Sequence, residues 1–152
     1  MKLLVINGPN LNMLGIREPD IYGKRTYDDL VQEITAFAKK IGVEVTVFQS
    51  NHEGALVEAI QQAYFNGVDG IVINPAAYTH TSVAILDALK AVSLPAVEVH
   101  LSDVENRDEF RKVSFARAAC LKTITGKGFA GYTEAMEYLA ALCNTNKDLK
   151  KS

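Results

Sequence analysis

Five short apolar runs, at residues 3–6, 43–48, 70–73, 96–99 and, less sharply, 120–125, alternate with helical patterns along the chain. Strict alternation of strand and helix demands right-handed crossovers and a parallel sheet covered on both faces. The first run is apolar throughout, which suits a central strand buried on both sides. Thr26 is placed to cap a helix carrying Leu30, Ile34, Phe37 and Ala38, with Gly42 after its last turn. Further helices are predicted at 54–65, stopping before Asn66-Gly67, and at 81–92, with Val83, Leu86 and Leu89 toward the sheet. A shorter, more polar helix is expected within 103–112, and a last one over 132–143, followed by a frayed tail at 144–152. The expected fold is a three-layer α/β sandwich, flavodoxin-like in strand order, on a five-stranded parallel sheet. No repeat or linker interrupts it, so residues 1–152 read as a single catalytic domain.

Of the 152 residues 48% are hydrophobic and 22% charged, with a net charge of -2, a balance that carries no nucleic-acid footprint. No window reaches about 18 uninterrupted apolar residues and no signal-type segment opens the chain, so the expectation is a cytoplasmic protein with no membrane partner. Cys120 and Cys143 lack metal-type spacing and read as reduced structural thiols.

Ligands of parallel sheets bind in the loops at the carboxyl ends of the strands, and there the polar residues of this chain gather. The first strand empties into Asn7-Gly8-Pro9-Asn10-Leu11-Asn12, followed by Arg17 and Tyr22. A guanidinium beside a phenol stabilises the phenolate, which makes that loop a source of a proton acceptor. The asparagines serve equally well as turn formers. The third strand ends in Asn74-Pro75-Ala76-Ala77-Tyr78-Thr79-His80-Thr81-Ser82. Thr81 or Ser82 suits a helix cap, but a cap has no use for the imidazole of His80. In the fourth strand a period of two puts Glu98 and His100 on one face, ahead of Leu101 and Ser102. A carboxylate beside an imidazole favours its protonated form and suits a general acid, although a lone histidine there is also compatible with a structural hydrogen bond. Arg107 and Arg111, four apart on the short helix, can both face the same edge or form a solvated face.

The runs N-G-P-N-L-N-M-L-G-I-R-E-P-D-I-Y-G, N-P-A-A-Y-T-H-T-S-V-A-I and E-V-H-L-S, in this order over residues 2–140, resemble type II 3-dehydroquinate dehydratase. The resemblance implies a hydro-lyase of the shikimate pathway that eliminates water from 3-dehydroquinate to give 3-dehydroshikimate, with no cofactor and no metal. It implies that Tyr22 is the proton acceptor, that Arg17 stabilises its anion, and that His100 is the proton donor with Glu98 as its partner. Asn10 matches the residue holding a water against the enolate oxygen. Asn74, His80, Leu101, Ser102 and Arg111 match substrate-binding positions, and Asp87 matches a carboxylate reaching a neighbouring subunit's site. The implied assembly is a dodecamer of trimers.

The chemistry agrees with these roles. A proton beside a ketone is acidic enough for enzymatic abstraction, and loss of the β-hydroxyl needs an acid on the opposite side. Lowering a phenol from about 10 to about 7 takes roughly 4 kcal/mol, much of which one guanidinium in a closed site can supply. The loop 15–24 carries both groups, so its closure would assemble the base and exclude water together. Backbone N–H groups at Leu101 and Ser102, with Arg111, suit a substrate carboxylate. Some positions depart from the pattern: Ala76 and Leu86 stand where Gly and Arg are expected, and Arg117-Ala118 stand near an expected Pro.

Rival readings have thinner support. A flavin or phosphate module would want a glycine-rich or hydroxyl-rich cradle after the first strand, where only Gly8 stands. A phosphoacceptor switch would want Asp where Asn74 stands. A metal hydrolase using His52, His80 and His100 lacks a compact ligand motif. A Schiff-base dehydratase would want a lysine within the matched constellation, and none is there.

Overall fold

A computed structural model describes residues 1–16, 19–22, 24–103 and 108–151, with the backbone alone described at 21 and 22. Arg17 and Arg107 therefore lie outside the described residues, as does the side chain of Tyr22. Five strands, β1 (Lys2–Asn7), β2 (Glu44–Gln49), β3 (Gly70–Asn74), β4 (Ala96–Val99) and β5 (Lys122–Ile124), form one sheet in the order β2-β1-β3-β4-β5. Every pairing is parallel. Among the described residues five α-helices accompany them, with short 3-10 turns between: α1 (Pro19–Tyr22), α2 (Tyr27–Ile41), α3 (Glu53–Phe65), α4 (Val83–Val92) and α5 (Ala130–Lys151).

Strand periodicity divides the core in two. Leu3 and Val5 of β1, Val72 of β3, and Val97 and Val99 of β4 pack with Leu30 and Ile34 of α2 and with Tyr132, Met136 and Leu139 of α5. On the other face Leu4, Ile6, Ile71 and Ile73 pack with Leu56 and Ile60 of α3 and with Ile85 and Leu89 of α4. The layers are α2 and α5, the sheet, then α3 and α4, the flavodoxin-like sandwich that the alternation predicts. The cap at Thr26 forms as a reciprocal box with Asp29, and Gly42 closes α2 at φ 71°.

Three elements differ from expectation. On α4 the buried stripe is Ile85, Ala88, Leu89 and Val92, whereas Val83 is exposed and Leu86 only half-buried. Of the two cap candidates Ser82 is the N-cap, accepting from the Ile85 N–H at 3.0 Å, and the helical phase that groups Ile85, Ala88, Leu89 and Val92 leaves Val83 outside their stripe. The connection at 103–112 holds, among its described residues, only a 3-10 turn at Glu109–Lys112, so the four-residue spacing of Arg107 and Arg111 is not carried by a described helix. The last helix runs through 143 to Lys151, because the tail contains no Gly or Pro to stop it.

One close approach sets the loops where the site lies. Gly8 follows β1 and donates its N–H to the Asn74 carbonyl at 2.8 Å, and a Cβ built on it would stand 2.3 Å from the Pro75 carbonyl oxygen. That atom belongs to the backbone and cannot swing aside. Gly8→Ala must therefore push apart the loops after β1 and β3, at a cost of at least about 2 kcal/mol. A urea titration should show the midpoint falling accordingly, and an unchanged midpoint would mean the two loops are free to separate.

Candidate active site

Glu98 is placed by β4 alternation on the α3 and α4 side of the sheet and has 0% exposure. A carboxylate so placed must be met by cations or hydroxyls to remain ionised, and four groups meet it. The His100 Nε2 stands 3.0 Å from Oε1, an ion-pair contact whose angle is poor for a hydrogen bond. Ser114 donates its hydroxyl to Oε1 at 2.5 Å, and Thr123 donates to Oε2 at 3.1 Å. The Arg117 Nε lies 3.5 Å from Oε2. Burial alone would push the Glu98 carboxyl up, but the short contact to His100, the charge on that imidazole and the two hydroxyls outweigh it and hold the group below its ordinary value. The nearby Cys120 thiol is pushed up to about 12 by burial and then by the charge of Glu98, so it is an inert thiol.

His100 lies just beyond β4, 5% exposed, its backbone N–H held by the Ile124 carbonyl at 2.9 Å. Leu101 and Ser102 continue from it, both half-buried, with the Leu101 carbonyl accepting from the Gly128 N–H. His80 ends the 3-10 turn Ala76–His80, and its Nδ1 stands 2.7 Å from the Val113 carbonyl. A carbonyl only accepts, so Nδ1 carries the proton. Burial draws the imidazole below its usual range; the Val113 carbonyl opposes that, while His100 and Arg111 add to the lowering. Neutral His80 thus offers an Nε2 lone pair. The segment bearing Val113 and Ser114 is stitched to this turn by the Phe115 N–H on the Thr79 carbonyl at 3.0 Å. The turn carrying Arg111 packs against it as well.

On the opposite side of the sheet Asn7 and Asn74 face each other across β1 and β3. Tyr132 of α5 reaches between them: its hydroxyl donates to Asn7 Oδ1 at 2.6 Å and accepts from Asn74 Nδ2 at 2.9 Å. Asn10 is exposed with a left-handed backbone at φ 69°, a conformation asparagine tolerates better than most residues. Its loop is anchored by the Asn10 N–H on Asn51 Oδ1 at 3.0 Å, while Tyr78 donates to the Asn51 carbonyl at 2.8 Å.

Of the residues predicted from sequence, Asn74, His80, Glu98, His100, Leu101, Ser102 and Arg111 thus sit in linked segments at the carboxyl edge of β3 and β4, with Asn10 on the adjoining loop. Asp87 is exposed on α4, opposite the buried stripe and apart from these groups. His52 precedes α3 and is exposed, and among the described residues no three His, Cys, Asp or Glu side chains are grouped as a metal would need. No described helix is long and apolar enough to cross a membrane. The sequence reading missed Ser114, Thr123 and Tyr132. Thr123 is the register partner of Glu98 on β5, information that exists only once the strands are paired. Tyr132 carried a signal, being a polar-tipped residue in phase with Ala135, Met136 and Leu139 on an otherwise apolar helix face.

The lowered carboxyl of Glu98 makes stability depend on pH in a defined window. Its folded-state pKa lies below the ordinary 4.5, so its stabilising contribution is complete above that value and is lost as pH falls through the folded value. Glu98→Gln should accordingly lower Tm at neutral pH, and the gap to wild type should narrow below pH 4.5 in thermal unfolding scans. A gap constant down to pH 3 would remove Glu98 as a native carboxylate.

Comparison with known proteins identifies the arrangement. The family model described as "Dehydroquinase class II" matches residues 1–140. The 3-dehydroquinate dehydratase of Lachnospira eligens is 52% identical over 143 residues, covering 93% of this chain and 97% of that one. The enzyme of that name from Clostridium acetobutylicum is 56% identical over 132 residues, covering 87% and 91%. The crystal structure of type II dehydroquinase from Butyrivibrio crossotus superposes with a TM-score of 0.90 at 55% identity, covering 91% of this chain and 97% of that one. With matches of this extent in sequence and in three dimensions, the chain belongs to the class II dehydroquinase family.

Proposed function

We propose that this chain is a 3-dehydroquinate dehydratase, a hydro-lyase that removes water from 3-dehydroquinate to give 3-dehydroshikimate by anti elimination through an enolate, as a step of the shikimate pathway. The observation that carries the reading within the family is the Glu98 and His100 pair, a buried carboxylate 3.0 Å from an imidazole at the end of β4. A β-hydroxyl leaves only with a proton, and this pair suits its donor. The Nε2 of His100 is turned to Glu98, so Nδ1 is the nitrogen from which that proton would depart.

In this reading Tyr22 takes the proton beside the ketone and Arg17 stabilises the phenolate. Asn10 holds a water against the developing enolate oxygen. Asn74, His80, Arg111 and the backbone at Leu101 and Ser102 bind the substrate, His80 accepting a substrate hydroxyl at Nε2. The reaction takes one proton from the carbon beside the ketone and delivers one to the oxygen of the departing hydroxyl as the C–O bond breaks and water leaves, with no net change of oxidation state, so neither redox cofactor nor metal is required of it. Asp87 serves the site of a neighbouring subunit in trimers that build a dodecamer, and its exposed position on α4 is compatible with that use. Residues 1–152 act as one catalytic domain in the cytoplasm, with a small-molecule substrate and without nucleic-acid or membrane partners.

The direct assay is the appearance of the conjugated enone's ultraviolet absorbance on adding 3-dehydroquinate. Tyr22→Phe should lower kcat at least ~100-fold while substrate still binds, since a general base contributes roughly 10² to 10⁴. Near-normal turnover would remove Tyr22 from the base role. His100→Ala should abolish dehydration yet leave slow exchange of a deuterium at the abstracted position with solvent, and retained dehydration would move the acid to another residue. Asp87→Ala should reduce specific activity while the subunit stays folded, whereas a fully active monomer, by light scattering and assay at one concentration, would refute the shared site.

A further inference from the structure

The buried phenol of Tyr132 has no part in the chemistry proposed above, yet it is the hub of a polar chain with a single possible direction. Tyr132 is fully buried, as is Asn7, and Asn74 is 3% exposed. An asparagine amide can be turned over without changing its shape, so what each end presents depends on its partners. The partner that decides here is the Ala76 backbone N–H, which can only donate and stands 3.1 Å from Asn74 Oδ1. Oδ1 therefore faces Ala76, and Nδ2 must face Tyr132. Receiving that N–H at 2.9 Å, the Tyr132 oxygen acts as acceptor and sends its own proton to Asn7 Oδ1 at 2.6 Å. Asn7 is left to turn its Nδ2 to the Tyr27 hydroxyl at 3.5 Å. Burial pushes the Tyr132 phenol well above its ordinary range, the hydrogen bond from Asn74 opposing this only in part, so the hydroxyl keeps its proton.

We propose that Tyr132 is a positioning residue that orients the Asn74 amide for substrate. The inference rests on the reading of Asn74 as a substrate contact. With one Nδ2 hydrogen given to Tyr132 and one Oδ1 lone pair given to Ala76, Asn74 retains one donor and one acceptor, and both point in directions set from outside the site. Without the hydroxyl, Nδ2 loses its acceptor and the amide is held at one end only. The same loss leaves Asn7 Oδ1 without its donor, so the variant also loses stability, and the test must separate the two effects.

The experiment is a double-mutant cycle between Tyr132→Phe and Asn74→Ala, read as kcat and KM for 3-dehydroquinate at a temperature where unfolding scans show every variant folded. Tyr132→Phe should raise KM about tenfold, the worth of roughly one hydrogen bond, with kcat changed far less. In the Asn74→Ala background it should change KM by less than about twofold. A lowered Tm with unaltered KM, or effects that multiply, would make Tyr132 a structural residue only. If Tyr132→Phe does not fold, the cycle is run with Asn7→Ala, which takes away the acceptor that draws the Tyr132 proton from Asn74. It should raise KM several-fold in the wild-type background and not in Asn74→Ala; equal effects in both overturn the proposal. Normal KM in Asn74→Ala itself would remove the contact and this role while leaving the dehydratase reading standing. Wild-type protein that neither binds 3-dehydroquinate by calorimetry nor converts it would remove both.

Discussion

Taking a carboxylate out of water costs several kcal/mol even after a protein relaxes around it, and Glu98 is taken out completely. Its partners must come from segments far apart in the chain, which constrains how they fold. His100 extends β4, Thr123 stands opposite on β5, and Ser114 and Arg117 come from the irregular stretch between the strands. For its hydroxyl to reach Oε1, Ser114 must lie against the edge of the sheet. That stretch in turn carries the Val113 carbonyl that fixes the tautomer of His80. One buried charge thereby organises two imidazoles on two different strand ends.

The other face solves a similar problem with neutral groups. Strands β1 and β3 carry apolar interiors, residues 3–6 and 71–73, up to their last residues, Asn7 and Asn74, which pair in register and lie under α5. Neutral amides avoid the ionic desolvation penalty but still need every donor and acceptor met, and Tyr132 meets one from each. The aliphatic residues in phase with it fill the core beneath, so a single helix supplies both the packing and the polar closure. Gly8, pressed against Pro75, keeps the two loops near enough for this to hold.

Much of the fold was legible because it depends on local patterns. Thr26 and Gly42 mark the ends of α2 by their own chemistry, and alternation of strand and helix nearly dictates the sheet. Strand periodicity put Glu98 and His100 on one face and made their pairing a candidate, which the 3.0 Å contact realises. What was not legible depends on which distant residues meet. Val83 looked like part of the sheet-facing stripe of α4, but it is exposed, and Ile85, Ala88, Leu89 and Val92 form the buried side, a choice of face that depends on how the helix docks. Ser114 and Thr123 sit in segments with no distinguishing pattern, and their roles arise from β5 register and loop packing. Arg111 was readable as a site candidate but not as part of a 3-10 turn, since four residues, three of them charged, carry little periodicity.

Two of the positions expected to depart from the family pattern, Ala76 and Arg117, fall beside these two clusters. Arg117 brings a guanidinium within 3.5 Å of the Glu98 carboxylate, so the charge facing His100 is shared with a second cation. Ala76 adopts φ 53°, a left-handed conformation that costs an L-residue with a Cβ about 1 kcal/mol or more and glycine almost nothing. The strain is maintained because the Ala76 N–H has an acceptor waiting in Asn74 Oδ1. A glycine would present the same N–H from the same backbone geometry. Alanine at this position therefore costs stability relative to glycine while leaving intact the one donor that sets the direction of the amide chain.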